Sequence, residues 1–170
     1  MKDMLVIVDV QNGFMNDNTR QVIPRINSLL KKKLFDHVVF TQFVNSENSP
    51  YERFIKWNGM KTQEETDIVD ELKPYVEKSF VKHFYTCFTA EFEDYLSKKQ
   101  IGRLFFVGVD TNICVTKCAV DTFERSMPGY VLGHYCASHS GKHLHEFALE
   151  NLEKFIGGEY VLIKTIEEIP

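Results

Sequence analysis

Residues 104–115, Leu-Phe-Phe-Val-Gly-Val-Asp-Thr-Asn-Ile-Cys-Val, combine an apolar run, a glycine and a cysteine. The run at residues 104–107 is short, continuous and rich in aromatic side chains, which is typical of a strand buried on both faces of a parallel sheet. After Cys114 the apolar positions recur at steps of three and four residues, which indicates a helix. The stretch therefore predicts a strand, a glycine turn and a helix that begins near Cys114.

Cys114 is placed by this pattern on the first turn of the helix. The unpaired backbone N–H groups and the positive end of the helix dipole at that position lower the pKa of a thiol and raise its thiolate fraction. We therefore predict that Cys114 is a nucleophile. The alternative is a small buried hydrophobic residue, which is the ordinary role of a cysteine in a core helix.

Strands and helices alternate along the rest of the chain. Further strands are predicted at residues 4–10, 37–44, 76–82, 129–135 and 160–164, and further helices at residues 22–35, 64–72, 89–99 and 141–156. This alternation predicts an α/β fold in one domain, residues 1–170, with a doubly wound, mostly parallel sheet and helices on both faces, a Rossmann-like three-layer arrangement. Residues 45–59, polar with interspersed aromatics, are predicted as a loop that forms a lid or pocket wall, or alternatively a helical turn on the surface.

Composition narrows the class of partner. The formal net charge of −4 and the pI near 5.9 give no electrostatic reason to expect nucleic acid or an anionic membrane, so a small-molecule substrate is expected. No apolar run approaches the roughly 20 residues of a membrane span, and residues 4–10 do not resemble a signal peptide. We therefore expect a cytoplasmic protein in which the four cysteines are free thiols, with no structural zinc.

A nucleophilic thiol needs a base, and a carboxylate stands at the right place. Asp9 lies near the carboxyl end of the apolar strand at residues 4–10, and the carboxyl ends of parallel strands lie along one edge of the sheet. Asp9 and Cys114 can therefore meet although they are far apart in sequence. A carboxylate in this position requires a cation, and the candidates are Lys82 and Lys78 in the extended segment at residues 76–82.

Three motifs together carry a resemblance to a known family. They are Asp-Val-Gln-Asn at residues 9–12, Lys-His-Phe-Tyr-Thr-Cys-Phe at residues 82–88 and Gly-Val-Asp-Thr-Asn-Ile-Cys-Val at residues 108–115. Their order and spacing resemble those of the isochorismatase-like cysteine hydrolases, the superfamily that contains nicotinamidase and N-carbamoylsarcosine amidohydrolase. The similarity covers nearly the whole chain, and the third motif is its most specific part.

The resemblance implies a role for each matching residue. Asp9 would be the base, Lys82 the cation and Cys114 the nucleophile, and Lys82 is preferred to Lys78 because the family's Tyr-Thr-x-Phe follows it. A cis peptide between Val109 and Asp110 would form an oxyanion hole that Thr111 helps to fix, while the carboxylate of Asp110 would point away or cap the helix. Substrate-pocket residues are expected in the loops and beside Lys82: Gln11, Phe14, Trp57 and Tyr85.

The histidines differ from those of some relatives. Nicotinamidases in this superfamily carry an Asp-x-His pair and a further histidine as metal ligands after the second strand, whereas residues 44–50 contain no histidine. We therefore expect no metal and no other cofactor. His139, His143 and His145 are expected to be exposed polar residues, and His134 replaces an aspartate that relatives often have, which is expected to alter support around the site.

The leading hypothesis is a cysteine-dependent hydrolase that cleaves a C–N bond of a small amide, ureido or carbamoyl compound through a thioester. The alternatives are a non-catalytic or redox-sensing member of the same fold, with a low-pKa Cys114, and a metal-dependent nicotinamidase, which the missing ligands disfavour. A nucleotide-binding domain is disfavoured because no glycine-rich loop follows residues 4–10. Relatives are often oligomeric, so a homo-oligomer, a dimer or tetramer, is expected; the sequence does not name the substrate.

Overall fold

The computed structural model describes residues 1–162 and contains a six-stranded sheet in which every strand pairs in parallel with its neighbours. The strands are β1 (Lys2–Val8), β2 (His37–Phe43), β3 (Ser79–Lys82), β4 (Ile101–Val109), β5 (Gly129–Ala137) and β6 (Val161–Leu162). The helices are α1 (Val22–Lys31), α2 (Pro50–Ile55), α3 (Gln63–Thr66), α4 (Ala90–Lys99), α5 (Thr116–Glu124) and α6 (Lys142–Ile156). The predicted doubly wound α/β fold is confirmed.

The strand order β3-β2-β1-β4-β5-β6 places a change of direction at the centre of the sheet. From β1 the chain moves outward through β2 to β3, then returns to β4 beside β1 and continues outward to β6. In open α/β sheets, ligands bind outside the carboxyl ends of the strands at such a point. Asp9 follows β1 and Cys114 lies shortly after β4, so the topology brings the two residues to the same place.

The core consists of two apolar layers, one on each face of the sheet. Met4, Val6 and Val8 of β1 contribute to the layer that also contains α4, α5 and α6. Leu5 and Ile7 contribute to the layer that contains α1. Because both faces are covered, β1 reads as a continuous apolar run in the sequence rather than as an alternating one.

Gly108 allows β4 to approach β1 closely beside the site. Its φ of +115° is one that residues with a side chain rarely adopt, and a Cβ at this position would lie 2.2 Å from the carbonyl oxygen of Val8. A side chain at position 108 would therefore force the two central strands apart at the edge where the site residues meet.

Two helices are shorter in the structure than the sequence predicts. Helix α1 ends at Lys31 rather than at residue 35, and Lys33 adopts a left-handed conformation with φ of 51°. The helix predicted at residues 64–72 is limited to α3, because Asp67 is extended and the Val69 N–H donates to the Val10 carbonyl at 3.2 Å. Backbone pairing with the segment after β1 replaces the helical hydrogen bonds there.

Residues 45–59 combine both predicted alternatives. Ser49 caps α2 by accepting a hydrogen bond from the Glu52 N–H, and the same segment contributes Tyr51, Ile55 and Trp57 to the wall of a cavity. The strand predicted at residues 160–164 is present as β6 at Val161–Leu162, and residues 163–164 lie outside the described part of the chain.

Candidate active site

Asp9 lies at the carboxyl end of β1 with its side chain fully buried. Its Oδ1 accepts a hydrogen bond of 2.7 Å from the Thr41 hydroxyl, and its own N–H donates to the same hydroxyl oxygen at 3.2 Å. Thr41 stands on β2, directly beside β1, so the sheet register supplies this partner. The other oxygen, Oδ2, is 2.7 Å from the Lys82 ammonium.

Lys82 ends β3 and reaches past β2 to Asp9. Its Nζ donates to the Phe84 and Tyr85 carbonyls at 3.0 and 3.2 Å, and lies 3.5 Å from the Cys114 sulfur. Burial alone would lower the pKa of Lys82, but Asp9 and Cys114 favour the charged form more strongly, and the net pKa is raised above its ordinary value. The ammonium therefore remains charged although the side chain is only 1% exposed.

Lys78, the other candidate cation, lies on the surface. Its Nζ pairs with Glu91 of α4 at 2.5 Å, and both side chains are accessible to solvent. The geometry therefore brings Lys82, and not Lys78, to Asp9 and Cys114.

Cys114 lies in a π-helical turn, Thr111–Val115, between β4 and α5 rather than on the first turn of an ordinary helix. The prediction that its pKa is lowered is wrong. Burial raises the pKa of the Cys114 thiol well above its usual value; Lys82 acts in the opposite direction without overcoming burial, and Asp9 adds to the increase. The resting thiol is therefore protonated.

The peptide bond between Val109 and Asp110 is cis. Thr111, the next residue, is fully buried, and its hydroxyl oxygen lies 2.8 Å from Nδ1 of His145 on α6. Its carbonyl accepts a hydrogen bond of 2.6 Å from the Thr116 hydroxyl. These contacts hold the turn between β4 and α5 from two sides.

The sequence predicts that the Asp110 carboxylate points away from the site or caps the helix, and the structure shows neither arrangement. No side-chain capping bond is formed at this helix start, and Asp110 lines the cavity beside Cys114. Its Oδ1 accepts a hydrogen bond of 2.8 Å from the His139 N–H. Burial raises the pKa of Asp110 to about 6, although the His139 hydrogen bond opposes the increase.

A cavity of about 270 Å³ opens onto Cys114. Of the predicted pocket residues, Phe14, Trp57 and Tyr85 line it. Gln11 does not, which corrects the prediction. Its side chain is fully buried, with Oε1 accepting from the Phe43 N–H at 2.8 Å and Nε2 donating to the Phe43 and Thr66 carbonyls. Gln11 therefore joins β2 to the segment that ends α3.

Other cavity residues were not predicted as site residues from the sequence. They are Gly13, Phe43, Tyr51, Ile55, Ile113, His139 and Ser140. Tyr51 and Tyr85 meet edge to face with ring centroids 5.1 Å apart, and Phe14 stacks on Trp57 at 6.2 Å. The aromatic content of residues 45–59 was a signal for Tyr51; no local pattern distinguished His139.

The histidines occupy different environments. His143 is exposed as predicted, but His145 is partly buried against Thr111, and burial lowers its pKa so that the imidazole is neutral at pH 7. His139 is exposed yet lines the cavity. His134 is exposed and does not line the cavity, so its side chain forms no part of the cavity wall.

The segment after β2, where nicotinamidases carry metal-binding histidines, contains no histidine in residues 44–50. After β2, Asn45 accepts a hydrogen bond from the Ser49 hydroxyl at 2.6 Å and donates to the Gly59 carbonyl at 3.1 Å. His83 lies 2.8 Å from the Val44 carbonyl through its Nδ1. Among residues 1–162, no group of three His, Cys, Asp or Glu side chains could hold a metal ion.

In the same range, no helix is both long and apolar enough to cross a membrane.

The fold and this site agree with comparisons to known proteins. The model of the isochorismatase domain matches residues 3–161, and the chain belongs to this family of isochorismatase-like amidohydrolases. A ureidoacrylate amidohydrolase, RutB, from Acinetobacter baylyi is 22% identical over 90% of this chain and 78% of its own length.

Two crystal structures show the same architecture. An isochorismatase-like hydrolase from Alkaliphilus metalliredigens superposes with a TM-score of 0.83 at 21% identity, covering 96% of this chain and 95% of its own. Nicotinamidase PncA from Bacillus subtilis superposes with a TM-score of 0.79 at 26% identity, covering 92% and 97%.

Proposed function

We propose that this protein is a cysteine-dependent amidohydrolase that cleaves a C–N bond of a small amide, ureido or carbamoyl compound through a thioester. The single observation that carries the proposal is the Lys82 ammonium, which lies 2.7 Å from Asp9 Oδ2 and 3.5 Å from Cys114 Sγ beneath the cavity. Relatives named as a ureidoacrylate amidohydrolase and a nicotinamidase act on bonds of this kind, which supports the choice of substrate class.

The electrostatics favour proton transfer at the moment of attack. Because burial keeps Cys114 protonated, a stored thiolate is not the resting form. Asp9 is the base that takes the proton, and the fixed charge of Lys82 stabilises the thiolate as it forms. The Thr41 hydrogen bond holds the Asp9 carboxylate in place.

The reaction then follows the order of an acyl transfer. The Cys114 sulfur attacks the carbonyl carbon, and the backbone N–H groups of Asp110 and Cys114 bind the oxygen that becomes negatively charged. The C–N bond breaks, the amine leaves with the proton that Asp9 received, and a thioester remains. Asp9 next removes a proton from water, the hydroxide attacks the thioester, and the thiol is restored as the acid leaves.

Hydrolysis of a panel of amides, ureas and carbamoyl compounds tests the proposal. Cys114→Ala should abolish turnover of any substrate found, while Cys136→Ala, which removes a buried thiol of β5 that does not line the cavity, should retain it. Mass spectrometry of the quenched wild-type reaction should show an acyl adduct on the peptide that contains Cys114. Turnover that survives Cys114→Ala would refute the nucleophile.

The redox alternative receives no support from the site. A redox-sensing cysteine is accessible and has a lowered pKa, whereas Cys114 is 7% exposed and burial raises its pKa. The expected cytoplasmic location and homo-oligomeric state remain part of the proposal; sedimentation velocity of the purified protein tests the second.

A further inference from the structure

The cavity has an unusual balance of charge. No lysine or arginine is among its lining residues, and Lys82 lies beneath it, neutralised by Asp9. Among the described residues, Asp110 contributes the one carboxylate of the lining. Aromatic rings form much of the remaining wall, and such rings attract cations through their faces. A bound molecule with a positive charge would therefore meet one carboxylate and several aromatic faces.

One oxygen of Asp110 remains open to that molecule. Oδ1 accepts the hydrogen bond from the His139 N–H, which fixes the orientation of the carboxylate. Oδ2 accepts no hydrogen bond from any residue in the described range, and it remains accessible to solvent. Because Asp110 lines the cavity, its carboxylate lies beside the space that a substrate would occupy.

We propose that Asp110 makes the site selective for amides that carry a positively charged group, and that it disfavours amides that carry a carboxylate. The proposal rests on the proposed function, since it names the substrate class of the same site. Asp110 thereby acts through its side chain on specificity and through its backbone N–H on the reacting oxygen.

The position of Asp110 gives this selectivity a second effect. A carboxylate beside the N–H groups that bind the negatively charged oxygen disfavours the formation of that charge, because like charges repel. A cationic substrate group that pairs with Asp110 removes this repulsion. A neutral amide leaves the carboxylate unpaired and a carboxylate-bearing amide adds to the repulsion, so charge selectivity extends from binding to the rate.

The charged and titratable groups around Asp110 come from several elements. Asp9 at the end of β1 raises the pKa of Asp110, while the loop after β5 contributes His139, which lowers it. Cys114 lines the cavity, and Lys82 lies beneath it, 3.5 Å from the Cys114 sulfur. With a pKa of about 6, Asp110 is ionised above that pH and becomes neutral below it, so the preference for a cation is present at high pH and is lost as the pH falls.

Binding of amides to a variant that cannot hydrolyse them tests this proposal separately from the proposed function. Cys114→Ala is titrated by calorimetry with three single-ring amides of similar size: 3-(aminomethyl)benzamide, 3-(hydroxymethyl)benzamide and 3-carbamoylbenzoate. At about pH 8 the first should bind about 10-fold more tightly than the second, and the third most weakly. The preference should shrink as the pH is lowered to about 5.

The double variant Cys114→Ala/Asp110→Asn keeps an acceptor for the His139 N–H but removes the charge. Its preference for the cationic amide should fall to within about 2-fold and should not change with pH. The control Cys114→Ala/Asp94→Asn removes the same charge from exposed α4 and should keep the full preference.

Equal preferences in the Asp110 and Asp94 variants, or no binding of the cationic amide, would overturn the proposal. These outcomes are independent of hydrolysis. Cys114-dependent turnover without charge preference would refute the selectivity alone, whereas charge-selective binding with no Cys114-dependent turnover of any amide would refute the proposed function.

Discussion

Replacing Lys82 with methionine removes the cation that contacts Asp9 Oδ2 while keeping most of the apolar volume of the side chain. In the wild-type protein the Lys82 ammonium also donates to the Phe84 and Tyr85 carbonyls. After the replacement, Asp9 remains fully buried with the Thr41 hydroxyl as its side-chain donor, and the two carbonyls lose this donor.

The size of the expected destabilisation follows from the Asp9 carboxylate, which Lys82→Met leaves buried without its cation. Removing one member of a buried ion pair typically costs about 3–5 kcal/mol, because the other charge stays buried. Replacing both members costs less, since no charge remains. We therefore expect Lys82→Met to lower the free energy of unfolding by about 4 kcal/mol, and the double variant Asp9→Asn/Lys82→Met to be more stable than Lys82→Met alone.

Urea unfolding followed by circular dichroism measures the effect. With a slope of about 2 kcal/mol per molar urea, the midpoint of Lys82→Met should fall by about 2 M. The matched control is Lys78→Met, which breaks the exposed pair with Glu91 and should cost less than about 1 kcal/mol. If Lys82→Met is as mild as Lys78→Met, or if the double variant is the less stable one, the buried ion pair does not have the energetic role that its geometry indicates.

Four further outcomes are expected. Thr41→Val leaves Asp9 Oδ1 without its hydroxyl donor and should lower stability by about 1–3 kcal/mol together with kcat, as measured by unfolding and turnover; unchanged kcat would contradict the positioning of Asp9. Gly108→Ala should cost more than about 3 kcal/mol, because the new methyl group meets the Val8 carbonyl at a φ of +115°; a soluble variant of wild-type stability would disprove this. Trp57→Ala should raise KM by about 10-fold with a smaller effect on kcat, since it removes cavity wall and no reacting group, and a loss confined to kcat would argue otherwise. Prolonged treatment with a chelator should leave the rate unchanged because the described residues lack a three-donor group, and activity that disappears and returns with added zinc would show the expectation to be wrong.

The sequence alone was sufficient for the architecture, and together with the family resemblance it indicated which residues meet at the edge of the sheet. Apolar runs without alternation indicate strands covered on both faces, and their spacing leaves room only for helical crossovers, so the doubly wound sheet follows from local pattern. Asp9 and Cys114 follow from the rule that the carboxyl ends of parallel strands share an edge. Lys82 was chosen over Lys78 by the motif that follows it, and the structure brings Lys82 to Asp9.

Only the tertiary structure decided how the side chains around these residues are oriented and buried. Gln11 was expected in the pocket but pairs with β2, and Asp110 was expected to turn away but lines the cavity. The pKa of Cys114 rises where a helix start predicted a decrease. The physical reason is the same in each case, because desolvation and hydrogen bonding depend on segments that are distant in the chain, such as His139 for Asp110. The stretch at residues 104–115 determined where the Cys114 thiol lies. The buried surroundings of that thiol, which come from distant segments, determined that its resting form is protonated.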